Sequence, residues 1–164
     1  MTVNVELLRE YKELLQTTNV QKCYQEFVKL FRSIRSELEK CMSEYKFQGS
    51  ITENGMDYSY FQFTSSDLKE KGLKIAVVFV HANFQFEVWL SGVNRKYQTI
   101  YYNQLKERDI PFILTDDPVR RDYILRAPLE ESLALTDGNL LVDNIKTVVR
   151  QLNVFSEELK KLSA

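Results

Sequence analysis

LKIAVVFVHANFQFEVWLSG, residues 73–92, decides the fold. Two runs rich in β-branched and aromatic residues flank Ala82-Asn83, and such runs favour paired strands. Leu73–His81 and Phe84–Ser91 are therefore expected to form an antiparallel hairpin with its turn at Ala82-Asn83. Because side chains alternate along a strand, that turn sorts the residues into two faces. Ile75, Val77, Phe79 and His81 share one face with Phe84, Phe86, Val88 and Leu90, apolar enough to be the main core surface. Lys74, Ala76, Val78 and Val80 share the other with Gln85, Glu87 and Trp89, so a carboxylate sits among small apolar residues beside the only tryptophan.

Working outward, Lys46–Glu53 and Met56–Thr64 flank Asn54-Gly55, a pair suited to the positive φ angles of a type I′ turn. They read as a second hairpin, and that turn would set Gly49 opposite Tyr60. Four antiparallel strands result. Downstream, Tyr97, Ile100, Tyr101 and Leu105 recur at helical spacing within Asn94–Arg108, after the Ser91-Gly92 break. Beyond that helix, Pro111, Pro118 and Pro128 punctuate a stretch where Phe112–Leu114 and Tyr123–Leu125 read as short strands at an edge or in a connection.

Helices close both ends. Leu7, Leu8, Tyr11, Leu14 and Leu15 mark a short one ending near Thr17–Asn19. Val20, Tyr24, Phe27, Phe31, Ile34, Leu38, Cys41 and Tyr45 then draw one apolar stripe along about seven turns. At the other end, Thr136 and Asp137 offer N-cap oxygens before Leu141, Ile145, Val148, Leu152, Phe155, Leu159 and Leu162. The two long stripes suit packing against the sheet, with a coiled-coil homodimer as the alternative. The expected fold is α+β: an antiparallel sheet of about four strands, two consecutive hairpins, packed against long N- and C-terminal helices, with a further helix after the second hairpin. At 164 residues the chain is expected to be a single domain, residues 1–164.

Bulk composition excludes several classes. With 22 basic and 23 acidic side chains, no overall field attracts nucleic acid or an anionic membrane surface. The longest unbroken apolar stretch, Ile75–Val80, is too short to span a bilayer. MTVNVELLREYKELL lacks the basic start and apolar run of a secretory signal, so a cytoplasmic location is expected. Cys23 and Cys41 lie about 27 Å apart along one helix; they cannot pair, and are expected to be buried free thiols.

Chemistry-bearing motifs are sparse. Five glycines fall into no phosphate-cradling pattern, and no cofactor or metal is expected. Asp116-Asp117 and Glu130-Glu131 read as a turn and a helix start; the pairs Arg95-Lys96 and Arg120-Arg121 read as solvated surface beside acidic neighbours, with a small anion-binding patch as the alternative. His81, the only histidine, reads as a hydrogen-bonded structural residue. A nuclease-like set of Asp57, Glu87 and Lys74 lacks the usual carboxylate-x-lysine spacing, because Trp89 stands where lysine is needed.

One face nevertheless invites a site. Glu87 and Trp89, two residues apart on one strand, can line a pocket with Tyr58 and Tyr60, the indole supplying area and the carboxylate fixing a polar or cationic group. Against this stands a plain reading in which Glu87 is solvated and pairs with Lys74 while Trp89 covers the sheet edge. The leading expectation is a non-enzymatic ligand-binding or interaction domain with Tyr58, Tyr60, Glu87 and Trp89 as ligand-binding residues and no catalytic residue. The alternative is a hydrolase or nuclease-like enzyme using Glu87, Asp57 or His81. Homodimerisation through the helical stripes is compatible with either.

KIAVVFVHANFQFEVWLSGVNRKYQTIYYNQL, with NGMDYSYFQF and the long helix before it, resembles an uncharacterised family of small bacterial proteins. FEVWLSG and the following NRK are the most specific part. The resemblance implies a bacterial cytoplasmic protein and brings no known activity or catalytic residues.

Overall fold

The computed structural model describes residues 2–130 and 138–159. The chain divides into two compact units, Met1–Ser36 and Glu37–Ala164. In the first, α1 (Val5–Thr17) starts where the Asn4 side chain accepts hydrogen bonds from the Glu6 and Leu7 N–H groups, satisfying donors that a helix start leaves orphaned. None of its residues is buried. The next helix, α2 (Val20–Cys41), begins in this unit and crosses into the second. Its rings at Tyr24, Phe27 and Phe31 stack in sequence along one face, as the three-to-four spacing requires.

The second unit holds a six-stranded, wholly antiparallel sheet in the order β1-β2-β3-β4-β6-β5. The strands are β1 (Lys46–Asn54), β2 (Tyr58–Thr64), β3 (Leu73–Val80), β4 (Gln85–Gly92), β5 (Ile113–Leu114) and β6 (Leu125–Pro128). Three further helices are α3 (Ser66–Glu70), α4 (Arg95–Leu105) and α5 (Gly138–Glu157). The fold is α+β, as the sequence implies; beyond the four strands of the two hairpins, the short strands read at Phe112–Leu114 and Tyr123–Leu125 join the same sheet as β5 and β6, the latter shifted to Leu125–Pro128. Four- and two-residue strands between prolines are too short to show a period, and β6 is no edge: it lies between β4 and β5.

The central pairing has the register expected from sequence. Ile75 faces Leu90, Val77 faces Val88 and Phe79 faces Phe86, and all six are essentially solvent-free. Phe61 and Phe63 of β2 extend this surface opposite Val77 and Ile75. On α5, Leu141, Ile145, Val149, Leu152 and Phe155 are buried; Val149 takes the place the sequence assigns to Val148. The expected cap residues Thr136 and Asp137, and Leu162, lie outside the described residues. Beyond α2, which ends at Cys41, Tyr45 meets Phe63 edge-on at 5.3 Å. Both cysteines are exposed, not buried: Cys23 lies beside the stripe, and at the end of α2 the buried place after Leu38 is taken by Met42 instead of Cys41.

Two buried polar groups tie α4 and α5 to Lys71, the residue that follows α3. Tyr101 donates its hydroxyl to the Lys71 carbonyl at 2.8 Å, and Lys71 Nζ donates to the Ser156 carbonyl at 2.6 Å, placing a cation on the negative end of α5.

The first hairpin differs from expectation at its turn. Positive φ falls on Gly55 and Met56, and the Asp57 N–H donates to the Asn54 carbonyl at 2.8 Å. The loop therefore holds three residues, Gly55–Asp57, closed by the Asn54–Tyr58 pair, where a two-residue turn at Asn54-Gly55 is expected. Tyr60 faces Thr52 rather than Gly49, and the register shifts between Gln48 and Thr52. Gly49, with φ of +61°, lies within that bulge. A methionine at φ +62° is disfavoured where asparagine is tolerated. Met56→Asn is therefore expected to stabilise the protein by about 0.5–1 kcal/mol in urea unfolding; a neutral or destabilising result would show that this turn stores no strain.

Candidate functional site

Each side chain on the second sheet face owes its position to the same alternation. Tyr60 faces Val78 across β2 and β3, Ala76 faces Trp89 and Val78 faces Glu87 across β3 and β4, and Arg126 of β6 faces Trp89. Ala76, Val78 and Trp89 form a small buried cluster, with Tyr58, Tyr60, Val80 and Tyr123 packed on it. Trp89 meets Tyr58 edge-on at 5.6 Å and Tyr123 at 5.0 Å. The face is therefore partly apolar in its own right.

Glu87 is not solvated and does not pair with Lys74. Only 1% exposed, its carboxylate accepts a hydrogen bond from Trp89 Nε1 at 2.6 Å on one oxygen and an ion-paired bond from Arg126 at 2.8 Å on the other. Arg126 also lies over the Tyr123 ring. A charge withdrawn from water requires such partners. Lys74 faces Ser91, four residues along β3 from the partner of Glu87, about 13 Å at the strand rise.

Above this cluster lies a trough of 590 Å³, within the size range of small-molecule sites. Ala76, Val78, Tyr58, Tyr60 and Trp89 supply its apolar lining; Thr52, Gln62, Lys74, Arg95 and Asp122 supply polar groups. The strand-to-helix step closes one end. Asn94 caps α4 by accepting from the Tyr97 N–H, and Gln98 accepts from the Gly92 N–H while donating to the Arg121 carbonyl. Gly92 is needed there, since a Cβ would lie 2.6 Å from the Gln98 nitrogen. Arg95 bonds to the Arg121 carbonyl and pairs with Asp122 at 2.6 Å. Lys74 has no hydrogen bond or ion pair among the described residues, and partial burial lowers its pKa from the ordinary lysine value, with Asp122 acting in the opposite direction.

Tyr58, Tyr60 and Trp89 thus come together on one lining, and Glu87 lies beneath it, holding the indole. Sequence reasoning missed Arg126 and Asp122, which come from a four-residue strand and a loop without a local signal; Arg95 is the helix-start arginine singled out from sequence, and the structure puts it in the lining. The proposed enzyme residues do not converge. His81 sits in the β3–β4 turn, where its Nε2 lies 2.9 Å from Ser59 Oγ and its ring packs on Phe79 of the core face; burial lowers its pKa, opposed by Glu53. Asp57 lies in the first hairpin turn, its carbonyl accepting from the His81 N–H. Among the described residues no three His, Cys, Asp or Glu side chains are grouped as a metal site needs, and none of the helices is long and apolar enough to cross a membrane.

A family model described as a domain of unknown function, DUF7000, matches residues 4–162. The chain belongs to this family. No curated protein and no solved structure matches it. For the DUF7000 domain, then, the site's geometry is the basis for function.

The buried carboxylate yields a stability test. Arg126→Met strands a charge beneath Trp89 and is expected to cost about 3 kcal/mol, with Glu87→Gln in the same chain recovering most of it. Urea unfolding of both variants checks this; a single substitution costing under about 1 kcal/mol would mean that Arg126 does not neutralise Glu87.

Proposed function

We propose that this protein is a non-enzymatic small-ligand binding domain whose site is the trough over Tyr58, Tyr60 and Trp89, with Glu87 as a positioning residue for the indole. The carrying observation is the combination of an aromatic-lined volume of 590 Å³ with polar groups that lack partners. Among the described residues, the side chains of Thr52, Tyr58, Tyr60, Gln62 and Lys74 make no hydrogen bond. Such groups orient a ligand, and the rings supply contact area. Against the enzymatic alternative stands the separation of its residues: both Glu87 oxygens are engaged on one face, and His81 is bonded to Ser59 on the other.

A cytoplasmic setting is supported by two exposed, unpaired thiols, which suit a reducing compartment. The family match across 4–162 supports residues 1–164 acting as one α+β domain.

Thermal unfolding against a set of metabolites tests the site, since a ligand at about 100 times its Kd adds about 2.7 kcal/mol to native stability. Compounds that raise the wild-type midpoint are expected to lose that effect in Tyr60→Ala, which removes a ring without touching the Glu87 network. Stabilisation that survives unchanged in this variant would place binding elsewhere.

A second reading concerns self-association. Leu7, Leu8, Tyr11, Leu14 and Leu15 are all exposed on α1, and a 13-residue helix is marginal alone. Its flanking Glu6, Arg9, Glu10, Lys12 and Glu13 mix both signs, which suits antiparallel pairing with a second copy. Light scattering at high micromolar concentration is expected to show a dimer that Leu7→Glu, Tyr11→Glu dissociates; a wild-type monomer there would remove the stripe as an interface.

A further inference from the structure

We infer that the trough takes a planar aromatic ring carrying a carboxylate or phosphate on a short arm, the ring packing on Trp89 and Tyr60 and the anion meeting the Lys74 ammonium. This rests on the trough being a binding site and names the class of ligand it would hold.

The argument begins with charge. Glu87, which holds the Trp89 indole, is neutralised by Arg126. In the lining itself stand two cations, Lys74 and Arg95, against one carboxylate, Asp122, and Asp122 is engaged by Arg95. Lys74 is left as a half-buried ammonium with no partner among the described residues. Partial desolvation strengthens its attraction for an anion, because water screens the pair less. The start of α4, eleven residues long, adds positive potential at the same end through Asn94 and Arg95. A cationic ligand would meet repulsion there.

Shape supplies the rest. Along β3, Lys74, Ala76 and Val78 lie on one face at two-residue steps, each about 6.6 Å. Ala76 and Val78 are buried beneath the rings packed on them, so the apolar surface the trough offers is that of Trp89, opposite Ala76, and Tyr60, opposite Val78. A flat ring packs well on such aromatic surface. Its anion must then reach one step along the strand, about 7 Å from the ring centre, to meet Lys74.

Isothermal titration with 2-naphthylacetate, 2-naphthyl phosphate and neutral 2-naphthylacetamide tests this on the full chain. Both anions, or whichever source the site prefers, are expected to bind at least about ten-fold more tightly than the amide, the equivalent of one charge-assisted hydrogen bond. Lys74→Met is expected to bring that ratio near one with amide affinity unchanged, and added salt to weaken the anions alone in the wild type. Tyr60→Ala should weaken all three. Equal binding of amide and anions by the wild type, or a ratio that survives in Lys74→Met, would overturn the assignment of an anion while leaving the trough a site. Binding of none of the three would overturn both.

Discussion

Everything on the sheet depends on the register between β3 and β4. Ile75, Val77 and Phe79 are buried against Leu90, Val88 and Phe86, and burial of each such side chain contributes about 1.5–3 kcal/mol. A slip by one residue would exchange the two faces, sending Glu87 into the core and Phe86 out of it. The apolar face therefore fixes the other face as well, and with it which residues form the trough floor.

Given that register, Glu87 must be buried opposite Val78, and a buried carboxylate demands a cation. Arg126 supplies it from β6, whose flanks are tied to β4 by the Ile124 N–H on the Leu90 carbonyl and the Leu129 N–H on the Phe86 carbonyl. Ion pair and strand pairing then reinforce each other. The second oxygen of Glu87 orients the Trp89 indole, so a carboxylate the ligand need not touch shapes the wall the ligand would meet. Rigid placement of an aromatic wall lowers the ordering cost of binding.

Much of this is legible from local pattern. The second hairpin's register follows from alternation around Ala82-Asn83, and α1, α4 and most of α2 follow from helical spacing. Departures have local physical causes. Met56 takes a positive φ and the loop holds three residues where Asn54-Gly55 implies two, so Tyr60 faces Thr52 instead of Gly49. Val149 replaces Val148 in the core because α5 buries residues at steps of four, four, three and three. Tyr58, Tyr60 and Trp89 can be assigned to one face from sequence, but Glu87 reads there as open to solvent.

What the sequence determined by itself was whatever repeats within a few residues: strand alternation, helical stripes, and the sorting of residues 73–92 into two faces. Only the tertiary structure decided that β6 lies beside β4, that Arg126 neutralises Glu87, and that Lys74 stands at the end of an aromatic trough. Period and propensity act along neighbouring residues. A partner 39 positions away is selected by the joint requirement to bury apolar surface and satisfy a charge, and no local pattern carries that requirement.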